Sequence, residues 1–157
     1  MAFLARTMKE YTTTVVINAP PALVWAILVD APKYRDWNPE IVGIDGGIDR
    51  GERITGHVRL GSGAVRRVAL VVAAFEAPRR MEWILRMPLG LFVGRRIFTV
   101  APNGRGSEFR LHLEMSGLLL PLILRSVGGR QPEVDSFSAA LKSRAETVAA
   151  ETRTMLE

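Results

Sequence analysis

Two histidines, His57 and His112, are the residues of this chain best suited to proton transfer near neutral pH. Neither belongs to a recognisable nucleophilic site, because no Gly-x-Ser-x-Gly turn occurs and Gly61-Ser62-Gly63 has the spacing of an ordinary turn. His112 alternates with Arg110 and Glu114 on the polar side of a predicted strand, which favours a solvent-facing histidine over a catalytic one. His57 is out of phase with the apolar residues of its own strand, so it is also predicted to be exposed.

The sequence offers no recognisable set of metal ligands. It contains no cysteine and no His-Glu-x-x-His spacing, so nothing predicts a zinc site. Asp30, Asp36, Glu40 and Asp45 fall near predicted loops, where a solvated carboxylate is the default, and no pair of them is identifiable for glycoside chemistry. We therefore expect no metal and no cofactor.

A pocket for an apolar molecule is the better candidate, because ligand cavities are mostly apolar with a few convergent polar groups. Alternation along residues 93–100 turns either Arg95 or Arg96 towards the interior, and a buried arginine needs a partner or a ligand anion. Each apolar member of the set has an alternative role, which is simply to fill a core. The candidate ligand-binding residues are Trp83, Met87, Arg96, Phe98, Leu111, Leu113, Met115, Phe137 and Leu141.

Seven strands and one long helix are predicted to position these residues. Turn residues separate the apolar and alternating segments, and alternation indicates a sheet with one covered and one wet face. The predicted strands are 14–17, 40–45, 52–60, 66–75, 80–87, 93–100 and 107–116. The long helix carries an apolar stripe at Val134, Phe137, Leu141, Ala145 and Val148.

Shorter helices complete the prediction. Leu23, Val24, Ile27 and Leu28 recur at helical spacing after a pair of prolines. A short second helical turn follows and carries Tyr34, Trp37 and Asn38-Pro39. Residues 118–126 form another short helix, which ends at Gly128-Gly129. Only the long terminal helix has a stripe that could cover the inner face of the sheet.

Two motifs resemble the START-like superfamily, specifically its polyketide cyclase/dehydrase branch, the SRPBCC proteins. The resemblance covers residues 11–151 and implies one α+β helix-grip domain over residues 1–157, with a cavity between sheet and helix. In that fold a seven-stranded antiparallel sheet wraps around a long C-terminal helix, and two short helices lie between strands 1 and 2. The matching residues are Ile17, Ala19, Pro20, Val24, Trp25, Trp37-Asn38-Pro39, Gly117, Ala140-Leu141-Lys142 and Ala145-Glu146.

The function implied by the resemblance is binding of a small hydrophobic ligand, either a lipid, an isoprenoid or a polyketide-like compound. The alternative within the same family is a cyclase or dehydratase acting on an aromatic or polyketide substrate, which an inward-facing His112 would favour. A third alternative is an interaction module that uses the exposed arginines and residues 118–124, with a homodimer as its simplest form. Fold alone does not decide among these alternatives.

Charge and hydropathy limit the other partners. The net charge is +5, but the 18 arginines are scattered and no aromatic residues interleave with them, so no nucleic-acid partner is expected. The most apolar window, residues 117–124, is too short to span a bilayer, and we expect no stable membrane insertion. Residues 1–6 contain too short an apolar run for a signal peptide, and the lack of cysteine fits a cytoplasmic protein.

Overall fold

A seven-stranded antiparallel sheet forms most of the molecule. The computed structural model describes residues 8–157. The prediction that residues 1–6 are no signal peptide concerns residues outside this range. The strands follow the spatial order β1-β7-β6-β5-β4-β3-β2, so each neighbours the next along the chain except where β1 pairs with β7. They are β1 Met8–Ile17, β2 Ile41–Asp45, β3 Arg53–Arg59, β4 Val65–Glu76, β5 Arg80–Arg86, β6 Val93–Asn103 and β7 Gly106–Ser116.

Four helices cover one face and one end of this sheet: α1 Pro21–Val29, α2 Tyr34–Trp37, α3 Leu120–Val127 and α4 Gln131–Met155. The predicted α+β helix-grip fold is confirmed, including the two short helices between the first two strands. Within residues 8–157 no helix is both long enough and apolar enough to cross a membrane.

The core lies between the sheet and α4. Helix α4 buries Val134, Phe137, Leu141 and Ala145 as predicted, but its stripe ends on Ala149, and Val148 is only half-buried. The ring of Phe137 lies 5.7 Å from Phe98 on β6 and 6.2 Å from Phe109 on β7, measured between ring centroids. These aromatic contacts fill the space between the middle of α4 and the sheet.

Helix α3 closes one end of the sheet, and Gly117 makes this possible. Gly117 has a φ of 120°, and a Cβ at this position would lie 2.4 Å from the carbonyl oxygen of Leu91. Only glycine therefore lets the chain turn out of β7 against the β5–β6 connection. The N–H of Leu119 then donates to that same Leu91 oxygen at 2.9 Å, which holds the start of α3 in place.

Candidate ligand-binding site

A cavity of about 330 Å³ lies between the inner face of the sheet and α3. Its walls are mainly apolar and come from strands β2 to β7, with Ile123 and Val127 contributed by α3. This volume is at the small end of the range for small-molecule sites, which extends from roughly 300 to 1,000 Å³. The exposed lining residues are Arg66, Arg67 and Ala69 on β4 and Met87 at the start of the β5–β6 connection, so the cavity reaches the surface between these two segments.

The structure brings five of the nine predicted site residues together around this cavity: Trp83, Met87, Arg96, Leu113 and Met115. The other four, Phe98, Leu111, Phe137 and Leu141, are fully buried in the core and do not line it. The cavity therefore lies beyond the N-terminal end of α4 and not along the helix. The reason is steric, because Phe137 and Leu141 already occupy the space under α4.

One end of the cavity carries a buried cluster of charges. Arg96 on β6 and Arg130 just before α4 both line the cavity, and their Nη2 atoms donate to the same oxygen, Oε1 of Glu40, at 2.5 and 2.8 Å. Glu40 is 4% exposed and Arg130 is 8% exposed. The prediction that an arginine would face the interior and need an acidic partner is met here, with a glutamate as the partner.

The buried position of Glu40 was missed at the sequence level, where Glu40 is counted among solvated loop carboxylates. The corner Trp37-Asn38-Pro39 explains its burial. The side chain of Asn38 accepts hydrogen bonds from the backbone N–H groups of Glu40 and Ile41 at 2.9 and 2.8 Å, and the N–H of Arg59 donates to the Glu40 carbonyl at 2.7 Å. These bonds fix the backbone so that the Glu40 side chain points inward.

Hydrogen-bonding capacity remains unused at this end of the cavity. Among the described residues, no acceptor meets the buried Nη1 of Arg96 or the buried Nε1 of Trp83, and no donor meets the buried Oε2 of Glu40. Arg66 and Arg67 also line the cavity, and none of the lining residues within 8–157 is acidic. The site therefore combines apolar walls with donors and positive charge, which is suited to a ligand that carries an acceptor or an anionic group.

The groups best suited to acid–base chemistry lie elsewhere. His112 faces the outer side of the sheet, where its Nδ1 is 2.6 Å from Oγ1 of Thr12, and Nε2 of His57 is 2.8 Å from Asp45. Neither histidine lines the cavity. Burial raises the pKa of Tyr34 far above its ordinary value, and its hydroxyl donates to the carbonyl of Leu28 at 2.6 Å. Tyr34 is therefore held neutral within the core.

The outer face of the sheet holds a set of possible metal donors that the sequence did not reveal. Cross-strand pairing places Glu10 opposite Glu114, and the donor atoms of Glu10, His112 and Glu114 lie within 4.8 Å of one another. Arg95 approaches Glu114 at 3.9 Å and offsets part of this negative charge. The set is remote from the cavity, because its three side chains project from the opposite side of the sheet.

A curved antiparallel sheet that grips a terminal helix, with a ligand-sized cavity between sheet and short helix, defines the START-like class of proteins. The model of one family in this class, described as "Polyketide cyclase / dehydrase and lipid transport", matches residues 8–146. The chain belongs to this family. None of the curated proteins compared with it matches in sequence.

Solved structures share the fold at low sequence identity. A START superfamily protein from Mycobacterium smegmatis is 20% identical with a TM-score of 0.69, over 88% of this chain and 98% of the other. A point mutant of norcoclaurine synthase from Thalictrum flavum is 10% identical with a TM-score of 0.70, over 96% and 99% of the two chains. The di-domain ARO/CYC protein BexL from the BE-7585A biosynthetic pathway is 18% identical with a TM-score of 0.65, over 90% of this chain and 50% of that one.

Proposed function

We propose that this protein binds a small amphipathic molecule, with an apolar body inside the cavity and an anionic or hydrogen-bond-accepting group beside Arg96. The observation that carries the proposal is that Arg96 and Trp83 line the cavity, and that each has a buried N–H group, at Nη1 and Nε1, which meets no acceptor among residues 8–157. A buried donor without a partner is costly, so a ligand that supplies an acceptor gains from meeting it. Lipid, isoprenoid and polyketide-like acids all have this chemistry.

Burial of apolar surface would supply most of the affinity. A ligand that removes about 200 Å² of apolar surface from water gains roughly 5 kcal/mol before the cost of ordering is subtracted. The polar end adds orientation, because a carboxylate can accept from a guanidinium with two parallel hydrogen bonds. The bound ligand would therefore place its apolar tail or ring against the apolar walls and its acceptor group at the charged end of the cavity.

Binding is favoured over catalysis by the lining itself. A cyclase or dehydratase needs groups that move protons, and the described lining residues are apolar, glycine or arginine. The nearest carboxylate, Glu40, already accepts hydrogen bonds from two arginines. The cyclase alternative consequently requires a substrate that reacts mainly because the cavity holds it in a reactive conformation.

A matched pair of glycine variants tests whether the cavity is the site. Gly56 on β3 lines the cavity, and Gly43 on β2 does not; a Cβ at either position meets its nearest atom at an ordinary 3.5 to 3.6 Å. Valine suits both strands better than glycine does, so neither variant should lose its fold. With dodecanoate as the ligand in titration calorimetry, we expect Gly56→Val to weaken binding about tenfold or more, because the added side chain occupies cavity volume.

Gly43→Val is the control and should bind dodecanoate as the unmodified protein does. Equal binding by both variants would place the ligand elsewhere and overturn the proposal.

Dodecanol tests the charged end, since it has the same chain without the carboxylate. Arg96→Gln should reduce dodecanoate affinity by about tenfold or more, the value of one hydrogen bond to a charged group, and should change dodecanol affinity much less.

A further inference from the structure

Four large apolar side chains are exposed around the mouth of the cavity. Leu89 is 94% exposed, Leu118 66%, Leu122 61% and Met87 40%. We call these four residues the leucine tip. They come from two segments that are joined directly, because the N–H of Leu119 donates to the carbonyl of Leu91 at 2.9 Å. The tip is therefore one surface and not a set of unrelated residues.

Leu122 lies on α3, and Leu118 lies two residues before this helix, which is well packed against the core. Leu120 of α3 is fully buried, and Ile123 and Leu124 pack against the core. The opposite side of the same helix carries Leu122 into solvent. Helix α3 is thus anchored by one apolar face while it presents a second one outward.

Leu89 is held outward by an unusual backbone. Its φ is 61°, in the left-handed region that bulky residues rarely adopt, and Gly90 follows with a φ of 67°. Asparagine or glycine would occupy this position at lower cost. The turn instead presents a leucine side chain almost entirely to solvent at the end of the β5–β6 connection.

The charge near the tip that no acidic residue offsets comes from arginine. Arg96 and Arg130 pair with Glu40, and Arg95 lies 3.9 Å from Glu114. The arginines of this end without an ion pair among residues 8–157 are Arg66, Arg67, Arg86 and Arg125. Residues 60–70, 86–96 and 117–131, which form the walls and rim of this end, contain seven arginines and no aspartate or glutamate. All 16 acidic residues of the chain lie outside these three segments. Arg66, Arg86 and Arg125 are exposed members of this set; Arg86 directly precedes Met87 in the chain, and Arg125 lies on α3 with Leu122.

We propose that the leucine tip docks the protein on an anionic lipid surface, with the mouth of the cavity facing the membrane. Exposed leucines next to arginines, without acidic residues, match an interface in which apolar side chains enter the headgroup region and cations meet lipid phosphates. Met87 belongs both to the tip and to the cavity lining, so docking would bring the cavity directly to the lipid. The docking proposal does not depend on which ligand the cavity holds.

Vesicle flotation with the purified protein tests the proposal. We expect binding to vesicles of phosphatidylcholine and phosphatidylglycerol, and at least about tenfold weaker binding to phosphatidylcholine alone, because the arginines then lack anionic partners. Leu89→Asn should weaken binding to the anionic vesicles about tenfold, since it removes an inserted side chain while it suits the left-handed backbone. Leu156→Asn, which changes an exposed leucine at the other end of α4, is the matched control and should bind like the unmodified protein.

Charge is tested separately with Arg125→Gln at the tip and Arg105→Gln in the β6–β7 turn, of which only the first should lower binding.

Equal binding to neutral and anionic vesicles, or no binding to either, would overturn the proposal. A dimer in sedimentation velocity that Leu89→Asn dissociates, without any vesicle binding, would show that a second copy of the chain covers the tip. Gly56→Val should still bind vesicles, so failure of the cavity proposal and failure of this one are distinguishable.

Discussion

The carboxylate of Glu40 accepts hydrogen bonds from two arginines that approach from different parts of the fold. Arg96 lies on β6, in the middle of the sheet, and Arg130 is the residue that directly precedes α4. The three charges therefore tie the β2 end of the sheet to the start of α4, directly beside the cavity. Removal of the glutamate would leave Arg96 buried without an acidic partner, and Arg130 with only the more distant Glu133, whose Oε1 lies 3.8 Å from its Nη1.

Replacement of Glu40 by alanine should accordingly destabilise the folded protein. We expect Glu40→Ala to lower the free energy of unfolding by about 3 kcal/mol or more, because it breaks a buried pair and leaves uncompensated charge. Asp45→Ala removes an exposed carboxylate that pairs with His57, and its effect should stay below about 1 kcal/mol. Urea unfolding of both variants gives the comparison, and similar losses for the two would contradict this account of the cluster.

At this scale the sequence predicts only part of the site. Alternation along β6 restricts the inward arginine to Arg95 or Arg96, because strand residues point to opposite faces in turn. Glu40 and Arg130 lie at the ends of elements, where no periodicity applies. Their burial depends on the bonds that Asn38 makes to the backbone and on the packing of α3, which are tertiary features.

Helix α3 covers one side of the cavity with Ile123 and Val127, and its position depends on Gly117. Any side chain at residue 117 would meet the backbone of Leu91, which is part of the sheet's end and cannot move away as a flexible side chain could. The positive φ of this residue adds strain for any residue other than glycine.

Gly117→Ala should therefore destabilise the protein by at least about 2 kcal/mol, the combined cost of the strained backbone and the steric clash. Gly61→Ala is a suitable control, because its φ is not positive and a Cβ there meets nothing within 4 Å. Its unfolding free energy should stay within about 0.5 kcal/mol of the unmodified value. Thermal and urea unfolding measure both effects, and a neutral Gly117→Ala would show that α3 is not held where the structure places it.

Most elements could be predicted from the sequence, because alternation and helical spacing are local signals. Alternation along β7 predicted Leu111, Leu113 and Met115 on the inward face, and all three are buried. On β5 it predicted the buried Trp83, but Met87, just after that strand, is 40% exposed. The position of the cavity along α4 could not be predicted. Whether Phe137 lines a cavity or fills it depends on how far the curved sheet stands from the helix, and periodicity carries no information about that distance.

Across the whole molecule, hydrogen bonds made by side chains of α4 join the end of the first strand to the closing helix. The backbone N–H of Asn18 donates to Oε2 of Glu146 at 2.8 Å, although the two residues are 128 positions apart. Lys142 donates to the same oxygen at 3.0 Å and to the carbonyl of Val16 at 2.6 Å. The hydrogen bond from Asn18, followed by that from Lys142, lowers the pKa of Glu146 below its ordinary value.

Acid should remove this contribution to stability. A carboxylate whose folded pKa is depressed stabilises the protein fully above its unfolded pKa of about 4.3, and the effect is lost as the pH falls through the lower folded value. Glu146→Gln should thus lower the free energy of unfolding at pH 7 by up to about 1 kcal/mol, since the site is partly solvated. Urea unfolding at several pH values should show this difference closing in acid; a difference that is constant with pH would contradict the assignment.

Helix α3 has only eight residues and lies between Gly117 and the Gly128-Gly129 pair, whereas most of the remaining cavity wall belongs to the sheet. A ligand too large for the existing opening would therefore need only this one short segment to lift, while every strand pairing and the whole of α4 stay formed. The lifetime of the loaded state would then depend on how often α3 opens, and the equilibrium occupancy would depend on the walls. Ligands whose release is limited by this opening would leave at the same rate whatever their affinity, and contact of Leu118 and Leu122 with a surface would change that rate for all of them.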